Sequence, residues 1–435
     1  MGAETVIDLG LDRGVPESYE RPRRATVPQW FAPVLLALLL LISSSASAAP
    51  PKPPFTPLLR IPMGPADPYL ITAAGRLVTQ TGDVVTAYDL TSGALSWRAG
   101  RSTPVLRLRT GDGMLLMQPW TIGGAAAGTT AISLATGERQ WVNPRSVITF
   151  AGSDALIAVT GTRSLSGSGR RVQGLIEVLD TLTGDTRWRV RVPSTAVVLG
   201  VPGPSDAGAR MLVVRDDRTA VLHDVADGRV LATRELPSAN YGPDNPVVAG
   251  GTVLLRHPGV SGMEVSAYDP LTLRPLWTEE ADGTLDVRPC GLLACLLGGG
   301  GVRAVDPATG DQRWAQRGWQ AVEQRGTSLL AYREADGALP AALVDSATGR
   351  VLTDLTGWRP LAGANRAGRL LVIRAVPDGA RTMVAVADPV GGRLRTIAGL
   401  PPGTGGCEAA PDRLVCRSAA GELVVWSYDE TAGAR

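Results

Sequence analysis

Four cysteines, two histidines and a run of four glycines are the residues from which this 435-residue sequence could build chemistry. Zinc needs three or four sulfur or nitrogen ligands brought together. His223 and His257 stand near neither Cys290/Cys295 nor Cys407/Cys416, so the spacing does not make a metal site. Both histidines read as surface or internally satisfied residues. Ser261 in Gly259-Val260-Ser261-Gly262 misses the Gly-x-Ser-x-Gly spacing of a nucleophile elbow. Gly298 to Gly301 would need a following helix to cradle a phosphate, but Val302-Arg303-Ala304-Val305 reads as a strand, so the glycines read as a hairpin turn. Asp216-Asp217 and Glu279-Glu280 fall in turn-like contexts without a partner that would give them acid–base roles. No catalytic, cofactor-binding or metal-binding residue is assigned on these grounds. The cysteines remain. Each pair flanks a short stretch between consecutive candidate strands, so local disulfides are expected outside the cytoplasm, with buried free thiols as the alternative.

These residues sit in a repeat. Its clearest copy is Ala87-Tyr88-Asp89-Leu90-Thr91-Ser92-Gly93-Ala94-Leu95-Ser96-Trp97, a frame Ala-x-Asp-x-x-x-Gly-x-x-x-Trp. It returns as Val178, Asp180, Gly184, Trp188 and as Ala304, Asp306, Gly310, Trp314. Ala131, Ser133, Gly137, Trp141 loses the aspartate, and Ala267, Asp269, Leu273, Trp277 loses the glycine. Asp224/Gly228, Asp345/Gly349 and Asp388/Gly392 lack the tryptophan, and Asp429/Gly433 runs into the C-terminus. Successive marks are 37 to 47 residues apart, the length of one four-stranded propeller blade.

Each part of the frame has a mechanical reading. The aspartate ends a strand, and its carboxylate can accept backbone N–H groups one or two residues on. The glycine supplies a positive φ for a short hairpin with a bulge. The tryptophan, on the outer strand, offers a flat surface to the neighbouring blade, a burial of ~2–3 kcal/mol. Strands precede each mark, such as Arg76 to Gln80 and Arg413 to Arg417, and with an inner strand such as Val105 to Arg109 each repeat has four. The last copy stops before its outer strand, and Leu58-Leu59-Arg60-Ile61 is expected to supply it, closing the ring and removing two exposed edges.

The frame resembles the tryptophan-docking repeat of PQQ-like (quinoprotein) β-propellers over residues 56 to 433. That family includes quinoprotein alcohol dehydrogenases and the periplasmic scaffold lipoprotein of the outer-membrane β-barrel assembly machine. The resemblance implies an all-β propeller of eight, or nine, four-stranded blades. The dehydrogenases of the family carry an adjacent cysteine pair over the quinone, a Glu/Asn/Asp set around calcium and a catalytic aspartate. This chain has no Cys-Cys pair and lacks the insertions that build that site. No cofactor is therefore expected, and the resemblance points to the non-enzymatic branch.

The N-terminus bears on compartment. Polar residues 1–29 end in Arg21, Arg23 and Arg24, and an apolar run with small residues follows over 30–49. Arginines before such a run and none just after it place the N-terminus inside. We expect residues 1–29 as a cytoplasmic tail, 30–49 as a transmembrane signal anchor, 50–55 as a stiff Pro-rich linker and 56–435 as the propeller outside. Ala46-Ser47-Ala48 leaves a cleaved signal and a secreted protein as the alternative. A net charge of +2 gives no case for nucleic acid. The expected partners are the membrane, through 30–49, and other envelope proteins; the sequence does not indicate an oligomeric state. The leading reading of function is a non-catalytic binding or scaffold module. A PQQ/calcium-dependent oxidoreductase and a ligand-sensing ectodomain are the alternatives.

Overall fold

The computed structural model describes Pro28, residues 30–45 and residues 53–428, apart from 101–106, 120–127, 151–152, 160–161, 165–169, 203–208, 238–245, 282, 335–336, 338, 364–368, 377–380, 389, 391 and 411. Arg21 to Arg24, Ala46 to Ala48, Trp120, Asp429 and Gly433 therefore lie outside the described residues. The chain divides into two compact units, Met1–Lys52 and Pro53–Arg435.

In the first unit, the apolar run forms α1 (Phe31–Ser45), with no acidic residue in its first turn and no basic residue in its last. Fifteen residues rise about 22 Å, short of a hydrocarbon core of about 30 Å. Among the described residues no helix is long and apolar enough to cross a membrane.

The second unit is all-β. Its first sheet pairs β2 (Tyr69–Ile71), β3 (Arg76–Thr81), β4 (Val84–Asp89) and β5 (Leu95–Gly100) antiparallel in chain order. Four-stranded sheets of the same order recur over 107–143, 246–280, 284–316, 321–354 and 359–400. Residues 146–235 make one eight-stranded sheet, because β14 (Thr186–Val201) runs on without a break. The early part of β14 is the outer strand of one four-stranded half. Its late part pairs with β15 (Arg210–Arg215) and is the inner strand of the next. The last sheet consists of β34 (Gly405–Ala410), β35 (Arg413–Arg417), β36 (Glu422–Tyr428) and, from the other end of the chain, β1 (Phe55–Pro62). Phe55 lies opposite Tyr428 and Pro62 opposite Glu422. The strand expected at Leu58 to Ile61 is thus the outer strand of the last sheet.

Burial explains which residues make which strand. The middle strands are covered on both faces by neighbouring sheets and read as unbroken apolar runs, as in β7 (Met114–Gln118), where all five residues are buried. Outer strands alternate, so in β5 the only buried side chain is Trp97.

We number the sheets 1 to 9 from Tyr69, counting the two halves joined by β14 as sheets 3 and 4. Nine buried apolar clusters then fall one between each consecutive pair. The cluster of Ile61, Leu77, Val415 and Val425 packs sheet 9 against sheet 1, so the succession returns to its start. Disulfides Cys290–Cys295 and Cys407–Cys416 tie the first strand to the second within sheets 6 and 9.

Candidate functional site: the joints between sheets

Each frame begins as a closed turn. The carboxylate of Asp89 accepts the N–H groups of Thr91 (2.9 Å) and Ser92 (2.8 Å), and the Gly93 N–H donates to the Asp89 carbonyl at 2.8 Å. The acceptor thus reaches two and three residues on, one further than the sequence reading placed it. The same N–H to carbonyl bond joins Gly137, Gly184, Gly228, Gly310, Gly349 and Gly392 to Ser133, Asp180, Asp224, Asp306, Asp345 and Asp388. Ser133 replaces the missing carboxylate with its hydroxyl, which accepts from Ala135 and Thr136. At Asp89, Asp180, Asp306 and Asp345 such bonds favour the ionised acid. The Arg187 side chain, then the Thr183 N–H, lower the Asp180 pKa to about 2. Arg313 acts in the same way on Asp306.

The frame tryptophans each reach forward into the next sheet. The indole N–H of Trp97 donates to the Leu134 carbonyl (2.8 Å), that of Trp141 to Thr181 (3.0 Å) and that of Trp188 to Val225 (2.8 Å). Trp277 donates to Pro307 (2.9 Å) and Trp314 to Ser346 (3.0 Å). Every acceptor is the residue directly after the next frame's Asp or Ser. The ring then lies on the next frame's glycine. A Cβ built on Gly137 would stand 2.7 Å from Trp97, and one on Gly184 or Gly228 2.6 Å from Trp141 or Trp188. For Gly310 and Trp277 the distance is 3.1 Å, and for Gly349 and Trp314 it is 2.7 Å. These glycines therefore meet two demands, a positive φ between 70° and 83° and room for a neighbour's ring.

Sequence reasoning gave Gly to the turn and Trp to the neighbouring blade, and missed that the ring lands on the next frame's glycine. One signal was present. Sheet 4 has Ala232 where the tryptophan would stand, and the next frame has Leu273 in place of glycine. Leu273 keeps the left-handed backbone at φ 55°, a strained position for a leucine. Its side chain is buried in the cluster that Ala232 borders. Where the ring is lost, the leucine fills the space.

The closing joint uses other groups. Arg413 donates from Nε to the Leu90 carbonyl at 2.6 Å and from Nη2 to the Thr91 carbonyl at 2.9 Å, and Leu58 of β1 covers Gly93, at 3.1 Å from a built Cβ. At the other end of the same joint, Arg417 lies over the Tyr69 ring at 5.3 Å and donates to the Gly64 carbonyl at 2.8 Å. Burial raises the pKa of Glu408 beside Tyr69.

The remaining chemistry-bearing residues are individually accounted for. Both histidines are buried, contrary to the surface option. His223 stacks on Trp188 at 5.6 Å and bonds the Gly228 carbonyl through Nδ1 at 3.0 Å. His257 bonds Ser266 at 2.8 Å through Nε2 and the Pro258 carbonyl through Nδ1. Ser261 donates to Glu280, Glu279 accepts from Arg303 and Asp217 accepts the Thr219 N–H. Gly298 pairs with Gly301 across a hairpin. Among the described residues no group of three or more His, Cys, Asp or Glu could hold a metal ion.

The two ends of the sheets differ. One carries the Asp turns. The other carries an open cleft of about 390 Å³ lined by Arg333, Glu334, Leu339, Pro340, Thr356 and Gly357.

Residues 172–339 match the family described as outer membrane protein assembly factor BamB. No curated protein matches the chain. Among solved structures, BamB from Moraxella catarrhalis is similar at 16% identity, over 86% of this chain and 100% of that one, with a TM-score of 0.41. The C-terminal WD40 domain of Sif2 is similar at 9% identity, over 87% and 99%, with a TM-score of 0.41. The matched residues lie within a frame that recurs from Asp89 to Gly392, and over 172–339 the chain is similar to a PQQ-like β-propeller family.

Proposed function

We propose that this chain is a non-catalytic scaffold, a nine-bladed propeller held at the outer face of the cytoplasmic membrane that presents the end bearing the cleft at Arg333 and Leu339 to envelope proteins. The observation that carries this reading is the match of residues 172–339 to a family named for an assembly factor. Rigidity supports it. Each sheet is locked to the next by an apolar cluster and, at five joints, by an indole hydrogen bond, which suits a platform for partners. Two disulfides favour an oxidising compartment. Anchoring is supported by the arginines before α1 and by the small residues 46–49 that follow it in sequence.

The test is in-cell crosslinking and pull-down of the full-length protein from native membranes, beside a variant altered at the cleft (Arg333→Ala with Leu339→Ser). A defined protein partner whose recovery falls in the variant is the expected result. Absence of any protein partner, together with saturable PQQ and calcium binding and alcohol-dependent dye reduction, would replace the scaffold with an oxidoreductase.

A further inference from the structure

The outer edge of sheet 3 combines an open backbone with unbalanced positive charge. Trp188 to Val192, in the early part of β14, pair with Val178 to Gly174 of the strand Arg170–Leu179. Among the described residues no strand pairs with their other edge. From Trp188 onward the side chains alternate. Trp188, Val190 and Val192 lie against the cluster between sheets 3 and 4, while Arg189 and Arg191 are exposed. Val192 is fully covered there, but Trp188 and Val190 are covered only in part.

The two arginines meet little opposing charge within the sheet. Arg187, at the bulge before Trp188, is paired with Asp180 at 2.8 Å. Glu177 lies directly opposite Arg189 but is bound by Arg145, and Leu175 stands opposite Arg191. Residues 155–176 add Arg163, Arg170 and Arg171 and contain no acid, and Arg163 is set opposite Arg171 in register. In the adjoining part of sheet 4, Asp216, Asp217 and Glu235 stand against Arg215 and Arg218. That leaves one acid in excess there, against five arginines in sheet 3. In the other strands that carry a frame tryptophan, the positions one and three after the ring hold at most one charge, as at Arg98, Glu280 and Arg317.

A strand added to this edge would set its side chains beside those of β14, alternate residues on alternate faces. Arg189 and Arg191 are two residues apart on an extended chain, a spacing of about 7 Å. Carboxylates two residues apart on the incoming strand match both guanidinium groups, which bind carboxylates bidentately. The residues between them fall on the other face, over Trp188 and Val190. A lipid surface would satisfy the arginines but would leave the backbone edge and the half-covered ring unused.

We infer that Trp188 to Val192 take a further strand from a protein partner, an extended segment with Asp or Glu at alternate positions and apolar residues between them. The contact lies on sheet 3, whereas the cleft at Arg333 and Leu339 belongs to sheet 7 and its connection to sheet 8. Each therefore stands or falls without the other. The test is fluorescence anisotropy of the purified full-length protein with a short labelled peptide in which Glu and Val alternate. Saturable binding is expected, and Arg189→Ser with Arg191→Ser should weaken it at least about tenfold at an unchanged melting temperature. Replacing Glu by Gln in the peptide should weaken binding to a similar degree. N-methylation of the peptide's backbone nitrogens, which prevents pairing on either edge, should abolish it. A peptide of the same composition with its glutamates adjacent should bind more weakly, because its charges no longer fall on one face. Absence of saturable binding, or equal binding by the double variant, the N-methylated peptide or the adjacent-glutamate peptide, would each overturn the inference. So would a preference for phosphatidylglycerol vesicles over the alternating peptide.

Discussion

Arg413 donates from Nε to the carbonyl oxygen of Leu90 at 2.6 Å, joining the last sheet to the first. At five other joints that carbonyl position is served by an indole N–H. Sheet 9 takes its outer strand from the N-terminus, and β1 brings Leu58 where those joints have a tryptophan. The guanidinium of β35 makes the missing polar contact.

Closure should therefore be sensitive from both sides. Arg413→Ala is expected to cost about 1.5–3 kcal/mol, the range for a hydrogen bond from a charged donor. Deleting Leu58–Ile61 should lower the melting temperature of residues 53–435 by much more, since it strips the edge of sheet 9. Calorimetry on both variants checks this, and unchanged melting in the deletion would rule out closure by β1.

The exchange at sheets 4 and 5 predicts coupling. Ala232→Trp alone should destabilise, because the new ring meets the Leu273 side chain. Leu273→Gly alone should cost about 2–5 kcal/mol for the lost buried leucine, less what relief of its positive φ returns. The double variant should recover the joint seen at Trp188 and Gly228. A double-mutant cycle from urea unfolding should give a stabilising interaction energy above about 1 kcal/mol; an additive result would separate the two positions.

His223 gives a pH dependence with a definite sign. Burial lowers its pKa below the ordinary 6.5, against an opposing hydrogen bond to the Gly228 carbonyl. As pH falls, the unfolded chain takes up this proton first. The contribution of His223 is thus complete above 6.5 and declines as pH drops through that value towards the folded pKa. Urea midpoints from about pH 8 to 5 should fall less steeply in His223→Phe than in the parent, and parallel curves would contradict the assignment.

The disulfides bridge separations of 5 and 9 residues, loops for which chain entropy gives about 2–3 kcal/mol each. Reduction, or Cys290→Ala with Cys295→Ala, should lower stability by about that amount per bond without changing the circular dichroism of the fold.

Much of this architecture was legible because it repeats. Asp89, Gly93 and Trp97 recur at blade length, and each acts on local geometry that a sequence displays. The four strands per repeat followed from turns and apolar runs, and Leu58 to Ile61 stood out because the last frame lacked an outer strand. What was not legible lies across joints. The meeting of Trp97 with Gly137 links residues 40 apart in sequence, and the Arg413–Leu90 bond links opposite ends of the chain. The burial of His223 was hidden for the same reason, since a stack against Trp188 depends on register across two strands. The merging of sheets 3 and 4 also escaped notice, because nothing breaks the run from Thr186 to Val201.

The central claim is that tryptophans dock forward onto the next sheet's glycine and hold the ring. Denaturant unfolding of single Trp→Ala variants at 97, 141, 188, 277 and 314 in residues 53–435 tests it most directly. Each should lose about 3–5 kcal/mol, with Trp188 and Trp277 towards the lower end because their rings are only half-buried. Trp→Phe at the same sites should lose less, as it keeps a ring on the glycine while removing the indole N–H and part of the ring area. Neutral substitution at most of the five, with solvent-exposed tryptophan fluorescence in the parent, would contradict the account.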